Sequence, residues 1–400
     1  MSQFRLLITF AVLLLTLHVA RGQINRLLED PTLWPPDDYV EYWAAGRLNL
    51  YGENPYSKEL LLPLERDAGR DIDEAVMMWN PPWTLTIAMP LGAMRPREGQ
   101  LAWLLLNFAA IAISAYLIWE IYCGLASRRW IALAISFTFV PTLFVLQSGQ
   151  MSALVLLGSV LFIWAMKNQY EYAAGAAACL IAVKPHLAYL LWFALVADLC
   201  ITKRWRIIAG GIMCGSIMSI IPTIFNPSVW EHYINAYQIY PPVEHVSLTI
   251  GVALRMMLNE NAFWMQFLPM IAGSLWLVWY IRRNKNSWNW YEQMPWIVLV
   301  SFVTAPYGAW HFDLVILLLP ILHRAAKLSI RTLTLRHSLA FTALIAINIA
   351  MYVLLANNVW TYMYAWVAPS LLLLYIASMP RGVAYTNPTE IITSIPTAHA

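Results

Sequence analysis

The chain has 400 residues, of which 60% are hydrophobic and only 12% charged, with a mean hydropathy of +0.57. Soluble domains carry roughly 25% charged residues, so this chain lacks the charge to coat a water-facing surface of its length. A formal net charge of +3 is too small to point to nucleic acid, and four isolated cysteines without CxxC or Cys/His spacing argue against a disulfide or zinc framework.

The first apolar run, Leu6 to Leu17, follows Arg5 and precedes Ala20 and Arg21. It reads as a first transmembrane helix over 1–21, with a cleaved secretory signal as the alternative. Residues 22–80 form a polar, acid-rich segment ending in Trp79-Asn80-Pro81-Pro82-Trp83, expected as an extracytoplasmic loop. Residues 81–225 are apolar runs with short breaks, 226–261 a second extracytoplasmic loop, and 262–380 a last group of apolar runs. The Thr-, Pro- and Ala-rich tail, 381–400, reads as disordered and cytoplasmic.

Backbone polar groups cannot go unpaired in lipid, so the apolar runs must be helices. At roughly 20 residues per crossing they predict an all-α polytopic membrane protein with about 12 transmembrane helices, in the range of about 11–13. The basic clusters at Arg128-Arg129, Lys167, Lys203 to Arg206, Arg282 to Lys285 and Arg324 to Arg336 are expected on the cytoplasmic side. One segment resists this threading: Pro82 to Met94 is short and is followed by Arg95 and Arg97, so it reads as a re-entrant or tilted helix. Alternating the remaining crossings brings three polar features to the outer face: the acidic loop, the tip at Lys184 and the tip at His311.

The acidic loop carries Asp37-Asp38-Tyr39-Val40-Glu41-Tyr42-Trp43 and then the Asn54-Pro55-Tyr56 turn. Adjacent carboxylates point in different directions, so one of Asp37 and Asp38 enters a given pocket, where it can act as general base toward an acceptor hydroxyl. In Val183-Lys184-Pro185-His186 the flanking apolar runs are short, the proline breaks the helix, and a lysine at such depth suits a phosphate. A lysine snorkelling from a tilted helix is the bland alternative. His311, in Trp310-His311-Phe312-Asp313, sits at the outer end of a span, where imidazole can bind an oxyanion or shuttle a proton. Gln147-Ser148-Gly149-Gln150 is a tight polar turn, by itself an ordinary helical hairpin, and His232 and His245 lie in the second loop.

The order of these motifs resembles that of the membrane-embedded GT-C glycosyltransferases of the GT87 type, which include mycobacterial polyprenol-phosphate-mannose-dependent mannosyltransferases. The resemblance rests on Asp38-Tyr39-Val40-Glu41-Tyr42-Trp43 with Gly46, Asn54-Pro55-Tyr56, Pro81-Pro82, Ser148-Gly149-Gln150, Lys184-Pro185, and Pro306 with Trp310-His311. It implies a GT-C fold in the bacterial inner (plasma) membrane, with the active site facing the periplasm or exterior. It also implies inverting transfer of a sugar, mannose by preference, from a polyprenyl-phosphate carrier to a hydroxyl on a lipid or glycan acceptor. By position Asp38 matches the catalytic carboxylate, with Asp37 its neighbour and the choice between them open. His311 matches the late histidine that contacts the phosphate or assists the base. Lys184, with His186, is expected at the donor phosphate, and Tyr42, Trp43, Asn54, Tyr56 and Gln150 at the substrates. Such chemistry requires no nucleotide domain, cofactor or metal. The rival reading is a secondary transporter or flippase of a polar lipid or small solute, against which stand the lack of a detectable repeat and the gathering of charges in an outer loop.

Overall fold

The computed structural model describes residues 30, 34–70, 72–240, 246–331, 334–357, 359 and 361–379. The expected first helix over 1–21, the tail from 381, and His245 with Pro241-Pro242 lie outside them. Among the described residues the chain is helical, with no strand.

The acidic loop is not extended. It folds into α1 (Tyr39–Leu50) and α2 (Lys58–Asp67), the latter capped by Ser57, whose hydroxyl accepts from Leu60 N. Ten of the twelve residues of α1 are buried, because the helix lies under the rest of this end of the molecule. A 3-10 turn over Pro82–Thr84 leads into α3 (Leu85–Gly92), which crosses α1 where Gly46 faces the backbone of Ala88 and Gly92 that of Arg47. At 1.5 Å per residue the eight residues of α3 rise about 12 Å, far short of a bilayer core. Asn80, just before it, donates to Val183 O (2.9 Å), and Met94, just after it, accepts from the Trp43 indole (3.1 Å), so both ends meet the same end of the bundle.

α4 (Pro96–Ile121) is the longest apolar helix, and its first turn explains the two arginines that resisted threading. Arg97 donates to Trp34 O at 2.6 Å, and Arg95 pairs with Glu98. Arg97 is thereby tied to the acidic loop, while Arg95 pairs within the first turn of α4 itself. α5 (Arg129–Thr138) and α6 (Val140–Ser148) are one apolar stretch bent by 62° at Phe139, where Pro141 occupies the first turn of α6 and cannot continue the hydrogen-bond ladder. α7 (Ser152–Lys167) and α8 (Glu171–Ile181) follow, then a non-helical break at 182–184. A 3-10 turn over Pro185–Ala188 opens α9 (Tyr189–Thr202).

α10 (Trp205–Phe225) returns to the end where α1 lies, its Pro222 carbonyl accepting from Asn49 (3.1 Å). The second polar interval forms α11 (Val229–Ile239) and α12 (Ile250–Leu258). Tyr233 and Tyr237 of α11 pack on Tyr56 and Trp79, which joins the two polar intervals into one cap. The remaining helices are α13 (Leu268–Asn284), α14 (Trp290–Thr304), α15 (Leu318–Ser329), α16 (Leu335–Ala356) and α17 (Val367–Ala377).

Among the described residues five segments are long and apolar enough to cross a membrane, or six if the bent α5–α6 pair counts as one span. Ser152–Lys167, Glu171–Ile181 and Thr361–Ala377 are apolar but shorter. The described residues alone do not reach the tally of about 12 expected from hydropathy, since the first expected helix lies outside them and proline breaks and 3-10 turns cut several apolar runs. Basic residues do gather at one end. Arg128 donates to Ser329 O (2.9 Å), Lys167 to Ile121 O (2.5 Å), Arg204 pairs with Glu171 (3.9 Å) and Lys327 with Glu292 (3.6 Å).

Candidate active site

At the opposite end, the three polar features predicted to converge meet in one cluster. Asp38 occupies the N-cap position of α1, where aspartate commonly accepts from the first free backbone N–H groups. Here its side chain makes no capping bond. Instead Asp38 Oδ2 accepts from Gln150 Nε2 at 2.9 Å, while Oδ1 takes no hydrogen bond from the described residues.

Gln150 is delivered by local backbone geometry. α6 ends at Gly149 in the left-handed region (φ +75°), which residues with a side chain adopt at a cost. A Cβ on Gly149 would lie 2.6 Å from the Tyr39 Cβ, so glycine also lets this turn settle on α1. The Trp103 indole donates to Gly149 O at 2.5 Å and holds the turn from the α4 side.

Every hydrogen-bonding site of the Gln150 amide is used. Its nitrogen donates to Asp38 Oδ2 and, at 3.3 Å, to Glu41 Oε1. Its oxygen accepts from the Tyr42 hydroxyl (2.7 Å) and from Lys184 Nζ (3.0 Å). The flipped amide would aim N–H groups at an ammonium and a carbonyl at two carboxyl groups, so the partners fix the orientation. Asp38 and Glu41 reach the same amide because residues three apart share a helix face.

Lys184 sits in the α8–α9 break with φ −132° and ψ 73°, and only 8% of its surface is exposed. Its Nζ donates to Asp313 Oδ1 (2.7 Å), Gln150 Oε1 (3.0 Å) and Ser152 Oγ (3.3 Å), and lies 4.7 Å from the Phe312 ring centre. Asp313 is fully buried and heads a 3-10 turn over His311–Leu317. Its Oδ2 accepts from Trp310 N (2.8 Å), and its Oδ1 also accepts from the Ser152 hydroxyl. A buried lysine in an apolar fold needs such a partner.

His311 projects beside this group and packs edge-on against Phe144 at 4.8 Å between ring centres. Its ring makes no hydrogen bond to the described residues. The charges of Asp313 and Asp38 both act on it. Two acidic groups of the loop are held above the usual carboxylate range. Asp37 is exposed at its tip, yet crowding by the surrounding chain, then the charge of Asp38, pushes its carboxyl up to about 6. Burial, then the Asp38 charge, holds Glu41 well above the ordinary value and favours its neutral form.

Other expected site residues build the frame. The Trp43 indole ties α1 to Met94, and the Asn54 side chain accepts from Tyr56 N (2.9 Å) to close its own turn. The Tyr56 hydroxyl donates to Asn80 O (3.2 Å). His186 turns to the 306–310 loop. Its Nε2 lies 2.9 Å from Gly308 O, and its ring stacks on Tyr307. None of these four shares a hydrogen bond with Asp38, Gln150 or Lys184. Conversely, Glu41, Ser152 and Asp313 belong to the cluster without having been singled out in the sequence. Glu41 and Asp313 stand inside the quoted motifs beside Tyr42 and near His311, and Ser152 lies two residues after Gln150; that proximity is the signal of them. Among the described residues no group of three His, Cys, Asp or Glu side chains is placed to hold a metal ion.

The model of glycosyltransferase family 87 matches residues 79–306, more than half of the chain. The chain belongs to glycosyltransferase family 87. No curated protein and no solved structure matches it. The family-87 segment includes Gln150, Ser152, Lys184 and His186. Asp38, Glu41, His311 and Asp313 lie on either side of it, and the fold brings Asp38, Glu41 and Asp313 onto the Gln150–Lys184 pair. As a family-87 glycosyltransferase the protein takes a sugar donor and an acceptor in a membrane setting.

Proposed function

We propose that this protein moves a sugar from a polyprenyl-phosphate carrier to a hydroxyl on a lipid or glycan acceptor, with inversion, at the membrane face bearing Asp38. The observation that carries the reading is the placement of Asp38. This half-buried carboxylate has one oxygen fixed by Gln150 and the other without a hydrogen bond from the described residues, beside a buried lysine and a histidine whose ring bonds none of them. Asp38 takes the proton from the acceptor hydroxyl as its oxygen attacks the anomeric carbon. The bond from that carbon to the phosphate oxygen breaks, and the carrier phosphate leaves with the electron pair. This leaving group is already anionic, so it gains more from a nearby cation and N–H donors than from an acid. Lys184 and His311 stand where they can supply those. Family membership favours transfer over the transporter reading.

Mannose is the sugar favoured by resemblance to polyprenol-phosphate-mannose-dependent enzymes. The basic end of the bundle supports a cytoplasmic placement for that end, hence a periplasmic or exterior site in a bacterial plasma membrane. The layout proposed with it places a catalytic loop at 22–80 and a second outer loop at 226–261. The test uses purified protein, radiolabelled polyprenyl-phosphate-mannose and a lipid extract, with wild type beside Asp38→Asn. Label passing to a new lipid or glycan with wild type alone supports both the transferase and its base. Equal transfer by the two proteins removes Asp38 from that role, and no transfer from any carrier-linked sugar removes the reaction.

A further inference from the structure

The Lys184 ammonium has three N–H bonds and three acceptors already on them: Asp313 Oδ1, Gln150 Oε1 and Ser152 Oγ. Its charge is also balanced, since Asp313 is a fully buried carboxylate in direct contact. A phosphate can reach this ammonium only by taking a place that one of these acceptors holds. Ser152 and Gln150 are neutral, so the competitor in charge is Asp313. It is fixed from two sides, with Trp310 N on one oxygen and the Ser152 hydroxyl on the other.

We propose that Asp313 is a resident counter-anion that stands in for the donor phosphate on Lys184, holding the empty site neutral and competing with the phosphate for the ammonium. The inference rests on the assignment of Lys184 to the donor phosphate. Binding the phosphate then means sharing or exchanging Asp313. After transfer, the return of Asp313 to Lys184 helps the carrier phosphate to leave. A pair that served folding alone predicts something else: loss of the Asp313 charge damages the site and weakens every ligand.

The two differ in the sign of an affinity change. In Asp313→Asn the side chain keeps its size but has one carbonyl oxygen for three donors: Trp310 N, which wild type meets with Oδ2, and Lys184 Nζ and the Ser152 hydroxyl, which it meets with Oδ1. With that oxygen on Trp310, an amide NH₂ faces the ammonium, whose charge is left for an incoming anion.

The experiment measures binding of sugar-free polyprenyl phosphate, and separately of inorganic phosphate, to the full chain in nanodiscs, together with KM and kcat for transfer. Asp313→Asn is expected to bind polyprenyl phosphate at least fivefold tighter than wild type, with KM for the donor and kcat both lowered. A gain for inorganic phosphate of the same size places the effect on the phosphate group; a gain confined to the lipid phosphate still supports the proposal, with the chain aiding delivery. Unchanged or weaker binding by both ligands overturns it. Should Asp313→Asn not fold, Ser152→Ala removes the hydroxyl that donates to Asp313 and accepts from Lys184, loosening the pair without removing the Asp313 charge. It is then expected to tighten polyprenyl phosphate about twofold, and no tightening counts against the proposal. The double variant Lys184→Met/Asp313→Asn separates the two levels. If it binds polyprenyl phosphate as wild type does, Lys184 is not the phosphate ligand and both readings fall. If it loses binding while Asp313→Asn shows no gain, the counter-anion role alone falls.

Discussion

Lys184 Nζ lies 2.7 Å from Asp313 Oδ1, across 129 residues of chain. This buried contact joins the α8–α9 break to the head of the 311–317 turn. Through Gln150 it continues to Asp38 at the N-cap of α1, so a carboxylate carried by one polar interval is oriented by side chains from two distant helix breaks.

That chain of contacts passes through one amide, and removing it is expected to act on both stability and rate. Gln150→Leu strips a donor from Asp38 and an acceptor from Lys184 and from the Tyr42 hydroxyl, all but Asp38 being buried. A buried hydrogen bond to a charged group contributes about 1.5–3 kcal/mol, so the loss of stability is expected at about 2 kcal/mol or more. Transfer should fall at least tenfold, because Asp38 loses the contact that fixes Oδ2. Thermal unfolding in detergent and an initial-rate assay read the two effects. A rate within twofold of wild type at normal stability would remove Gln150 from the positioning of Asp38.

The doublet at 37 and 38 separates by pH. Asp37 rises from 3.8 to about 6 in the folded protein, so its neutral form is favoured there and the stability it contributes is complete only below 3.8. As pH climbs through about 6 the folded protein must ionise beside Asp38, and that contribution is lost. Asp37→Asn cannot ionise. It is therefore expected to match wild type near pH 4 and to be the more stable of the two at pH 8, while keeping transfer within tenfold. Abolished transfer in Asp37→Asn, with Asp38→Asn active, would exchange the roles of the two.

Much of this arrangement is legible in the sequence because its signals are local. Low charge and long apolar runs require helices. Lys184-Pro185 breaks a helix by the chemistry of proline, and scattered Lys and Arg residues sort the two ends of the bundle. Crossings are harder to number, since Pro141 bends one apolar stretch by 62° and hydropathy is blind to the bend. The partners of the site are hidden for another reason. Asp313 looks like a residue that caps its own turn, and it does so with Oδ2; that Oδ1 meets Lys184 depends on packing between distant segments. Glu41 lies three residues beyond Asp38, yet only the helical phase of α1 turns both toward Gln150.

Gly149 tests whether the turn or the side chain beside it matters more. Its φ of +75° is costly for alanine, and a Cβ there would meet that of Tyr39 at 2.6 Å. Strain of this kind costs about 1–3 kcal/mol. Gly149→Ala is expected to lower the unfolding temperature and to reduce transfer together, because any relief of the clash moves Gln150 away from α1. Paired with Gln150→Leu it should add little further loss of rate, since the same contact is already gone. Full additivity of the two losses would show that the turn serves stability apart from the site.

The Lys184–Asp313 pair itself is open to a stability cycle. Breaking a buried pair by removing one partner costs about 3–5 kcal/mol, whereas replacing both by apolar groups of similar size is often near neutral. Lys184→Met leaves the Asp313 carboxylate buried without its cation, and Asp313→Leu leaves the ammonium without its anion. Each single variant is expected to melt well below wild type. The double variant should melt above both. A residual loss of about 1 kcal/mol should remain, because Leu at 313 cannot cap Trp310 N as Asp313 does at 2.8 Å. Differential scanning fluorimetry of the four proteins, in one detergent and at one pH, gives the order. If the double variant melts below both singles, each side chain stabilises the fold through contacts of its own, and the two are not coupled as a buried pair.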